Sequence, residues 1–226
     1  NKAAISSLRD QGVALIITVD CGIRSLDETL YARELGVDLV ICDHHTPGEI
    51  LPEAAAVIDP KRPDDVYPEK MLAGVGVAYK LASALDTCLE NRGPGLENYL
   101  DLVALGTVAD MVPLSGENRT LVRAGLDVIR AKRRQGILSL AGVSGLKTEN
   151  TTAADIGFTL GPRINAAGRL DSALDALALL ISSDVHEAGR LAQKLETQNR
   201  KRQAITREIQ ALAAELVFAD QDEPLL

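Results

Sequence analysis

Carboxylate and imidazole side chains follow two apolar runs of the sequence. Asp20 stands at the end of the first run, and Asp43, His44 and His45 directly follow the second. If both runs are parallel strands, their carboxyl ends share one edge of the sheet, where α/β proteins bind ligands. Carboxylate oxygens and imidazole nitrogens together suit Mn²⁺, Mg²⁺ or Zn²⁺. The pattern predicts a metal site, although a helix-capping Asp43 beside two surface histidines accounts for the spacing equally well.

Two later segments hold further candidate residues. Asp110 follows a run of small residues, and a carboxylate buried there would need a cation or a basic partner; an exposed turn residue is the alternative. Arg163, Asn165 and Arg169 lie in a segment flanked by glycines. Glycines beside arginines suit close, bidentate contact with phosphate, and a surface loop with solvated arginines is the alternative.

Apolar patterning predicts the elements that must position these side chains. Residues 13–20 and 37–42 are continuous apolar runs rich in β-branched residues, which is typical of strands buried on both faces, and 55–58 is a short third strand. A helix over 25–35, with Ser25 as its N-cap, joins the first two strands. Strand, helix and strand in this order indicate an α/β fold with a doubly wound parallel sheet.

The rest of the chain is predicted to be mostly helical. Residues 136–160 are polar and predict a loop, and residues 161–169 predict a turn-rich segment. A long polar helix over 184–218 is too highly charged at its centre for full burial, so we expect it to lead toward another domain. Further helices are predicted over 74–89, 96–109 (with a strand or turn at 106–110), 119–134 and 172–182.

Composition excludes several classes of protein. The 226 residues include 24 Lys and Arg against 32 Asp and Glu, a formal charge of −8. No apolar run approaches the ~20 residues that span a bilayer. The 3 cysteines lack a Cys-x-x-Cys spacing, which disfavours a disulfide framework or a zinc finger and indicates a reducing compartment. The sequence begins with Asn1 inside a predicted helix, so we expect a fragment of a longer protein.

The charge is unevenly distributed along the chain. Residues 1–118 carry 9 basic and 19 acidic side chains, a balance of −10, whereas residues 119–226 carry 15 and 13, a balance of +2. Arg130, Arg133 and Arg134 belong to a basic helix in the second part. This helix is a candidate track for nucleic acid, although a solvated helix face is at least as common for such runs.

Four motifs together resemble one known family. The segments at 19–22 (Val-Asp-Cys-Gly), 43–45 (Asp-His-His) and 106–110 (Gly-Thr-Val-Ala-Asp) occur in this order in the DHH phosphoesterase superfamily. The segment at 161–170 (Gly-Pro-Arg-Ile-Asn-Ala-Ala-Gly-Arg-Leu) is similar to the RecJ branch, the single-strand-specific 5′→3′ DNA exonucleases. The resemblance covers nearly the whole chain.

The resemblance implies a role for each matching residue. Asp20, His44 and Asp110 match ligands of a two-metal site that binds Mn²⁺ or Mg²⁺. His45 matches a histidine that contacts the scissile phosphate, and Asp43 would support both histidines from outside the metal site. Arg163 matches an arginine that contacts a phosphate of the nucleic-acid substrate, and Asn165 and Arg169 are its neighbours.

The resemblance also shows what this sequence lacks. The family's first motif, Asp-x-Asp-x-Gly, is expected before residue 1, so the metal site would be incomplete and the fragment inactive alone. Residues 1–183 would form the DHH catalytic domain without its N-terminal part. Residues 184–226 would form a linker helix toward an absent DHHA1 domain and an absent oligonucleotide-binding fold.

The implied function is hydrolysis of phosphodiester bonds in single-stranded DNA, in DNA repair and recombination in the cytoplasm. The implied partners are single-stranded DNA, with a single-strand-binding protein or a helicase as candidate protein partners, and no membrane. Another DHH phosphodiesterase, acting on oligoribonucleotides or cyclic dinucleotides, is the alternative enzyme. A DHH scaffold that binds nucleic acid without catalysis is the alternative from another class.

Overall fold

The structure is a computed structural model that describes residues 1–89, 95–170 and 172–219. The chain divides into two compact units, residues 1–128 and residues 129–226. Among the described residues, no helix is both long and apolar enough to span a bilayer.

A parallel sheet forms the centre of the first unit. Its strands are β1 (Leu15–Val19), β2 (Asp38–Cys42) and β3 (Ala56–Ile58), in the order β1-β2-β3. The register pairs Val19 with Cys42, and Cys42 with Ile58. All three strands therefore end level at one edge of the sheet, as the sequence predicts for a parallel arrangement.

Helices cover both faces of this sheet, which confirms the predicted α/β class. Ile5 and Ala32 pack with Leu39 of β2 on one face, and Val77 and Leu72 pack with Cys42 on the other. The helices of this unit are α1 (Lys2–Asp10), α2 (Leu26–Glu34), α3 (Gly74–Cys88), α4 (Leu100–Ala109) and α5 (Gly116–Arg130), with a 3₁₀ turn at Leu96–Tyr99.

The prediction that the first strand is buried on both faces is wrong. Leu15, Ile17 and Val19 are 51%, 47% and 55% exposed, while Ile16 between them is partly buried against the α1–α2 side. β1 lies at an edge of the sheet, so the described helices shield only part of its second face. Ser25 precedes α2 as predicted, but its side chain makes no capping hydrogen bond, because its backbone is not in the extended conformation of most N-caps.

The second unit is helical where the sequence predicts loops and turns. The predicted loop at 136–160 contains α6 (Gln135–Ser144), a 3₁₀ turn (Thr148–Asn150), α7 (Ala153–Asp155) and a π-helical turn (Ile156–Leu160). The predicted turns at 161–169 belong to α8 (Gly161–Leu170). Glycine, threonine and other β-branched residues recur in these segments and lower their helix propensity, so packing contributes to their helicity.

Gly136 shows how α6 gains that packing. A Cβ atom on Gly136 would lie only 2.0 Å from the backbone oxygen of Leu179, in α9 (Leu174–Ile181). The missing side chain lets α6 approach α9 at backbone distance, and Ile137 and Leu140 are buried in the same unit.

The predicted long helix is α10 (Val185–Ala219), which has 35 residues. Leu191 and Leu195 in its first half are buried among the helices of the second unit. Farther along, Ile209 and Leu216 are 61% and 65% exposed, although they continue the same apolar stripe. The first half of α10 thus belongs to a helical core, and the second half extends beyond that core.

A polar cluster joins three parts of the first unit. Glu117 of α5 accepts hydrogen bonds from the Tyr67 hydroxyl and from Lys80 Nζ, each at 2.6 Å. The Lys80 ammonium also lies 5.6 Å from the centre of the Tyr67 ring. Burial alone would raise the pKa of Glu117, but the bonds from Lys80 and Tyr67 outweigh it and lower that pKa.

Replacing Glu117 with alanine should destabilise the protein by about 1.5–3 kcal/mol at neutral pH, the range for a hydrogen bond to a charged group. Because the folded pKa is depressed, this contribution is present above the ordinary pKa of glutamate and is lost as the pH falls through the folded value. Urea unfolding at pH 7 and at pH 4 measures both effects. Glu208→Ala, at an exposed position of α10, is the matched control, and equal losses from the two variants would contradict the prediction.

Candidate metal centre

The ends of the three strands place acidic residues side by side. Asp20 follows β1, and its backbone N–H donates to the Cys42 carbonyl at 2.9 Å. Asp43 follows β2, and its N–H donates to the Ile58 carbonyl at 3.0 Å. The ladder therefore continues one residue past each strand and holds both backbones at the edge of the sheet. Asp20 has a φ of 63°, in the left-handed region that few residues other than glycine adopt.

His44 lies between two carboxylates. Its Nε2 atom is 3.0 Å from Asp20 Oδ1 and 3.5 Å from Asp110 Oδ2. The His44 side chain is only 6% exposed, yet neither of its ring nitrogens has a hydrogen-bond partner among the described residues. The distance to Asp20 is short but the alignment does not suit a hydrogen bond. A buried nitrogen that faces two carboxylates in this way fits a site for a shared cation.

Asp110 reaches this site from the end of a helix. The predicted strand or turn at 106–110 is the last turn of α4, and Asp110 N–H donates to the Gly106 carbonyl at 2.9 Å. Burial and the nearby negative charge of Asp20 raise the pKa of Asp110, and His44 counteracts the rise. The next residue, Met111, has a φ of 59° and is 89% exposed.

Asp43 organises the loop that carries both histidines. Its buried carboxylate accepts hydrogen bonds from the backbone N–H groups of Ile23 at 2.9 Å, His44 at 2.8 Å and His45 at 3.3 Å. Burial would raise the pKa of Asp43, but these bonds and the contact with the His45 ring lower it.

His45 is oriented by Asp43 and open to solvent. Its Nδ1 atom is 2.7 Å from Asp43 Oδ1, and its side chain is 58% exposed. The bond to Asp43 raises the pKa of His45, and the neighbouring carboxylates of Asp20 and Asp110 add to the rise. A cleft of about 450 Å³ beside His45 is lined in part by Asp20 and Arg24.

Asp59 is a residue of this edge that the sequence analysis missed. It follows β3 and is fully buried, and its Oδ1 accepts from the Lys61 N–H at 2.8 Å. Its Oδ2 has no hydrogen-bond partner among the described residues. Burial raises the pKa of Asp59. The signal was available, since Asp59 follows the third strand just as Asp20 and Asp43 follow the first two.

The predicted phosphate-binding residues lie in the second unit. Arg163 Nε donates to Glu196 Oε2 at 2.6 Å, and its Nη1 donates to the Thr159 carbonyl at 2.6 Å. The side chains of Arg163 and Glu196 are 14% and 6% exposed, so this ion pair is largely buried. Asn165 is exposed, and the side chain of Arg169 lies outside the described part of the structure.

The basic helix predicted over 119–134 ends at Arg130 in the structure, so Arg133 and Arg134 lie outside it, and Arg134 is the N-cap of α6. Arg130 donates through Nε and Nη2 to the Thr151 carbonyl, and Arg134 Nη1 donates to the Leu180 carbonyl at 3.1 Å. Arg133 is exposed, directly after α5 and a short turn. The side chains of Arg130 and Arg134 thus stabilise contacts between segments of the second unit, which is a structural role.

The arrangement at the sheet edge fits a divalent cation. Ligand atoms of Asp20, His44 and His45 all lie within 4.8 Å of one another, and Asp110 approaches His44 from α4. Hard carboxylate oxygens with one or two imidazole nitrogens form a donor set suited to Mn²⁺, Mg²⁺ or Zn²⁺. The described residues of the first unit therefore provide a small acidic site with a buried imidazole at its centre.

Comparison with known proteins shows which proteins this fold and site are similar to. Residues 2–107, just under half of the chain, match the family model described as "DHH family, N-terminal domain".

The chain as a whole is similar to RecJ proteins. It is 43% identical over 217 residues to the single-stranded-DNA-specific exonuclease RecJ of Bacillus subtilis, covering 96% of this chain and 27% of that protein. It is 45% identical over 216 residues to RecJ of Escherichia coli, covering 91% and 37%. The chain thus spans between about a quarter and two fifths of the length of these relatives.

A solved structure supports the same relationship. The crystal structure of RecJ in complex with Mn²⁺ from Thermus thermophilus superposes with a TM-score of 0.81 at 37% sequence identity. The match covers 92% of this chain and 31% of that one. A second RecJ structure from the same organism, in complex with Mg²⁺, has a TM-score of 0.70 at 34% identity and covers 99% of this chain and 32% of that one.

Proposed function

We propose that this chain is the catalytic segment of a metal-dependent 5′→3′ exonuclease that hydrolyses phosphodiester bonds of single-stranded DNA. One observation carries the proposal: the buried His44 Nε2 faces the carboxylates of Asp20 and Asp110 at 3.0 and 3.5 Å. The similarity to a single-stranded-DNA-specific exonuclease, which extends over 96% of the chain, supports the proposed substrate. The 5′→3′ direction is proposed from the resemblance of the segment at 161–170 alone.

Asp20, His44 and Asp110 would hold the divalent ion, Mn²⁺ or Mg²⁺. When bound, such an ion activates water and offsets negative charge on a phosphoryl group. The three side chains come from β1, β2 and α4, so folding of the first unit brings them together. A second ion at this site would need ligands in addition to Asp20, His44 and Asp110.

His45 and Asp43 would act on the substrate rather than on the metal. Asp43 holds Nδ1 of His45, which leaves Nε2 at the solvent-exposed side of the ring. The bond to Asp43 raises the pKa of His45 and so favours the protonated imidazole, whose Nε2 would donate to a phosphate oxygen. The adjacent cleft of about 450 Å³ gives a nucleotide room to approach.

The second unit would contribute nucleic-acid contacts. Asn165, Arg169 and Arg133 are candidates, and Arg163 would exchange its bond with Glu196 for a substrate phosphate. Arg130 and Arg134 would contribute charge from positions where they already bind carbonyls. In this proposal the catalytic domain extends to residue 183, and the linker helix begins at 184.

The cellular setting follows from the similarity alone. A role in DNA repair and recombination, a cytoplasmic location, and a single-strand-binding protein or helicase as partner are further parts of the proposal. Another DHH phosphodiesterase is the second candidate function, and the matched family model, which spans the DHH segment common to both, favours it equally.

A digestion assay separates these functions. The enzyme expressed from its complete reading frame should release mononucleotides with Mn²⁺ from the 5′ end of a single-stranded 30-mer labelled at its 3′ end. The same strand in a blunt duplex is the control and should stay intact. Preference for a dinucleotide over the 30-mer would support the second candidate. Binding of the 30-mer without hydrolysis would leave only the scaffold alternative.

A further inference from the structure

Gly74 begins α3 and is buried against the side chain of Asp20. A Cβ atom on Gly74 would lie 2.4 Å from Asp20 Oδ1 and 2.7 Å from both Asp20 Cβ and Asp20 Cγ. Real Cβ atoms essentially never approach other atoms so closely. Rotation of the carboxylate cannot relieve the contact, because the position of Asp20 Cβ is set by the backbone.

Neither partner in this contact is free to move away. The Asp20 backbone is held by its hydrogen bond to the Cys42 carbonyl and by its left-handed φ of 63°. On the other side, α3 is anchored by Val77, which is 2% exposed and packs with Cys42 in the core. A Cβ on Gly106 of α4 would lie 2.8 Å from Val75 Cγ1, so α3 is also closely packed against α4.

We propose that Gly74 is a positioning residue of the metal centre. Its missing side chain lets the first turn of α3 lie against Asp20 and hold that carboxylate toward His44 Nε2. This inference rests on the proposed function, because it assigns Gly74 to a site whose metal role belongs to that proposal.

Gly76 is a matched control on the same helix. It is also buried, and its Cβ would lie 3.3 Å from Leu72 Cδ2, the flexible end of an apolar side chain. Alanine favours helix over glycine at both positions, so propensity affects both variants in the same direction. The variants differ in what the new methyl group contacts: Asp20 for Gly74→Ala and Leu72 for Gly76→Ala.

The first test is Mn²⁺ binding to this 226-residue chain by isothermal titration calorimetry. Gly74→Ala should weaken binding by about 10–100-fold, the range for losing a group that orients a ligand, and Gly76→Ala by less than about 2-fold. Equal affinities for these two variants would overturn the positioning role. His44→Ala tests the proposed function separately: if it binds Mn²⁺ as tightly as the wild type, the metal site fails whatever Gly74 does.

A second test does not depend on metal and remains decisive if Gly74→Ala is unstable. Gly74→Ala is compared in the wild type and in an Asp20→Gly background, with EDTA present, by thermal melting. Asp20→Gly removes the three atoms that lie nearest to the new methyl group, and glycine tolerates a φ of 63°. Gly74→Ala should lower the Tm by at least about 4 °C in the wild type and by less than about 1 °C in the Asp20→Gly background. An equal drop in both backgrounds would show that the cost does not involve Asp20 and would overturn the inference.

Discussion

Replacing His44 with alanine should abolish Mn²⁺-dependent digestion of single-stranded DNA while leaving the fold nearly intact. The imidazole is buried between Asp20 and Asp110, and its ring nitrogens form no hydrogen bond with any described residue, so its loss breaks none. Without the nitrogen, two carboxylates must hold the ion alone. We expect Mn²⁺ affinity to fall by more than about 100-fold, beyond the cost of losing an outer hydrogen-bond partner.

His186 provides the matched control for this experiment. It is the remaining histidine of the chain and lies exposed in the first turn of α10. His186→Ala should digest the 30-mer at the wild-type rate. A turnover number for His44→Ala within about 3-fold of that control would exclude His44 as a ligand. A tenfold change in rate corresponds to ~1.36 kcal/mol of barrier, so a 3-fold change corresponds to about half of that, which is too little for the loss of a metal ligand. Asp110→Asn should resemble His44→Ala, since it removes the charge that faces the same nitrogen.

The residues of the sheet edge were predictable because two local signals coincide. A β-branched run predicts a strand, and a polar residue after it falls at the carboxyl edge if the strands are parallel. Asp20 and Asp43 follow this rule, and Asp59, directly after the third strand, follows it too. The register of the sheet, which pairs Val19 with Cys42 and Cys42 with Ile58, explains why the rule holds.

Contacts between residues far apart in sequence could not be predicted from local patterns. Gly74 and Asp20 are brought together by packing of α3 on the sheet, and the Gly-Val-Gly segment by itself indicates only close helix packing. The arginine at 163 resembles a phosphate ligand in the sequence, yet its charge is matched by Glu196, which lies 33 residues away. Neither pairing leaves a periodic pattern in the sequence.

The errors in the predicted helices and in the predicted burial of β1 have the same physical origin, which is tertiary packing. The segment at 136–160 contains several glycines and threonines, which lower its helix propensity, but its small residues allow close helix contacts, so it folds as helices. Pro162 was read as part of a turn, although proline is well tolerated in the first turn of a helix, where it lies in α8. The exposed face of β1 shows the converse, because burial depends on neighbours that the strand's own residues do not reveal.

Replacing Asp43 with alanine should destabilise the first unit more than replacing Glu117 with alanine. The carboxylate is 1% exposed and accepts three backbone hydrogen bonds as well as the contact with the His45 ring. Each hydrogen bond to a charged group is worth roughly 1.5–3 kcal/mol, so we expect a loss of at least about 3 kcal/mol in the free energy of unfolding. Urea denaturation followed by circular dichroism measures this loss.

Asp43→Asn distinguishes the role of Asp43 in orientation from its role in folding. Asp43 accepts from Ile23 at Oδ2 and from the His44 and His45 groups at Oδ1, and the amide has one acceptor oxygen for these two positions. It also lacks the negative charge that strengthens the contact with the His45 ring, so the loop should fold with a weaker hold on His45. We expect turnover to fall by about 10–100-fold with a smaller change in Mn²⁺ affinity, because His44 and not His45 faces both carboxylates. Asp38→Asn, at the exposed start of β2, is the control for the same chemical change on the same strand. If Asp43→Asn and Asp38→Asn had the same turnover, Asp43 would not orient His45 for catalysis.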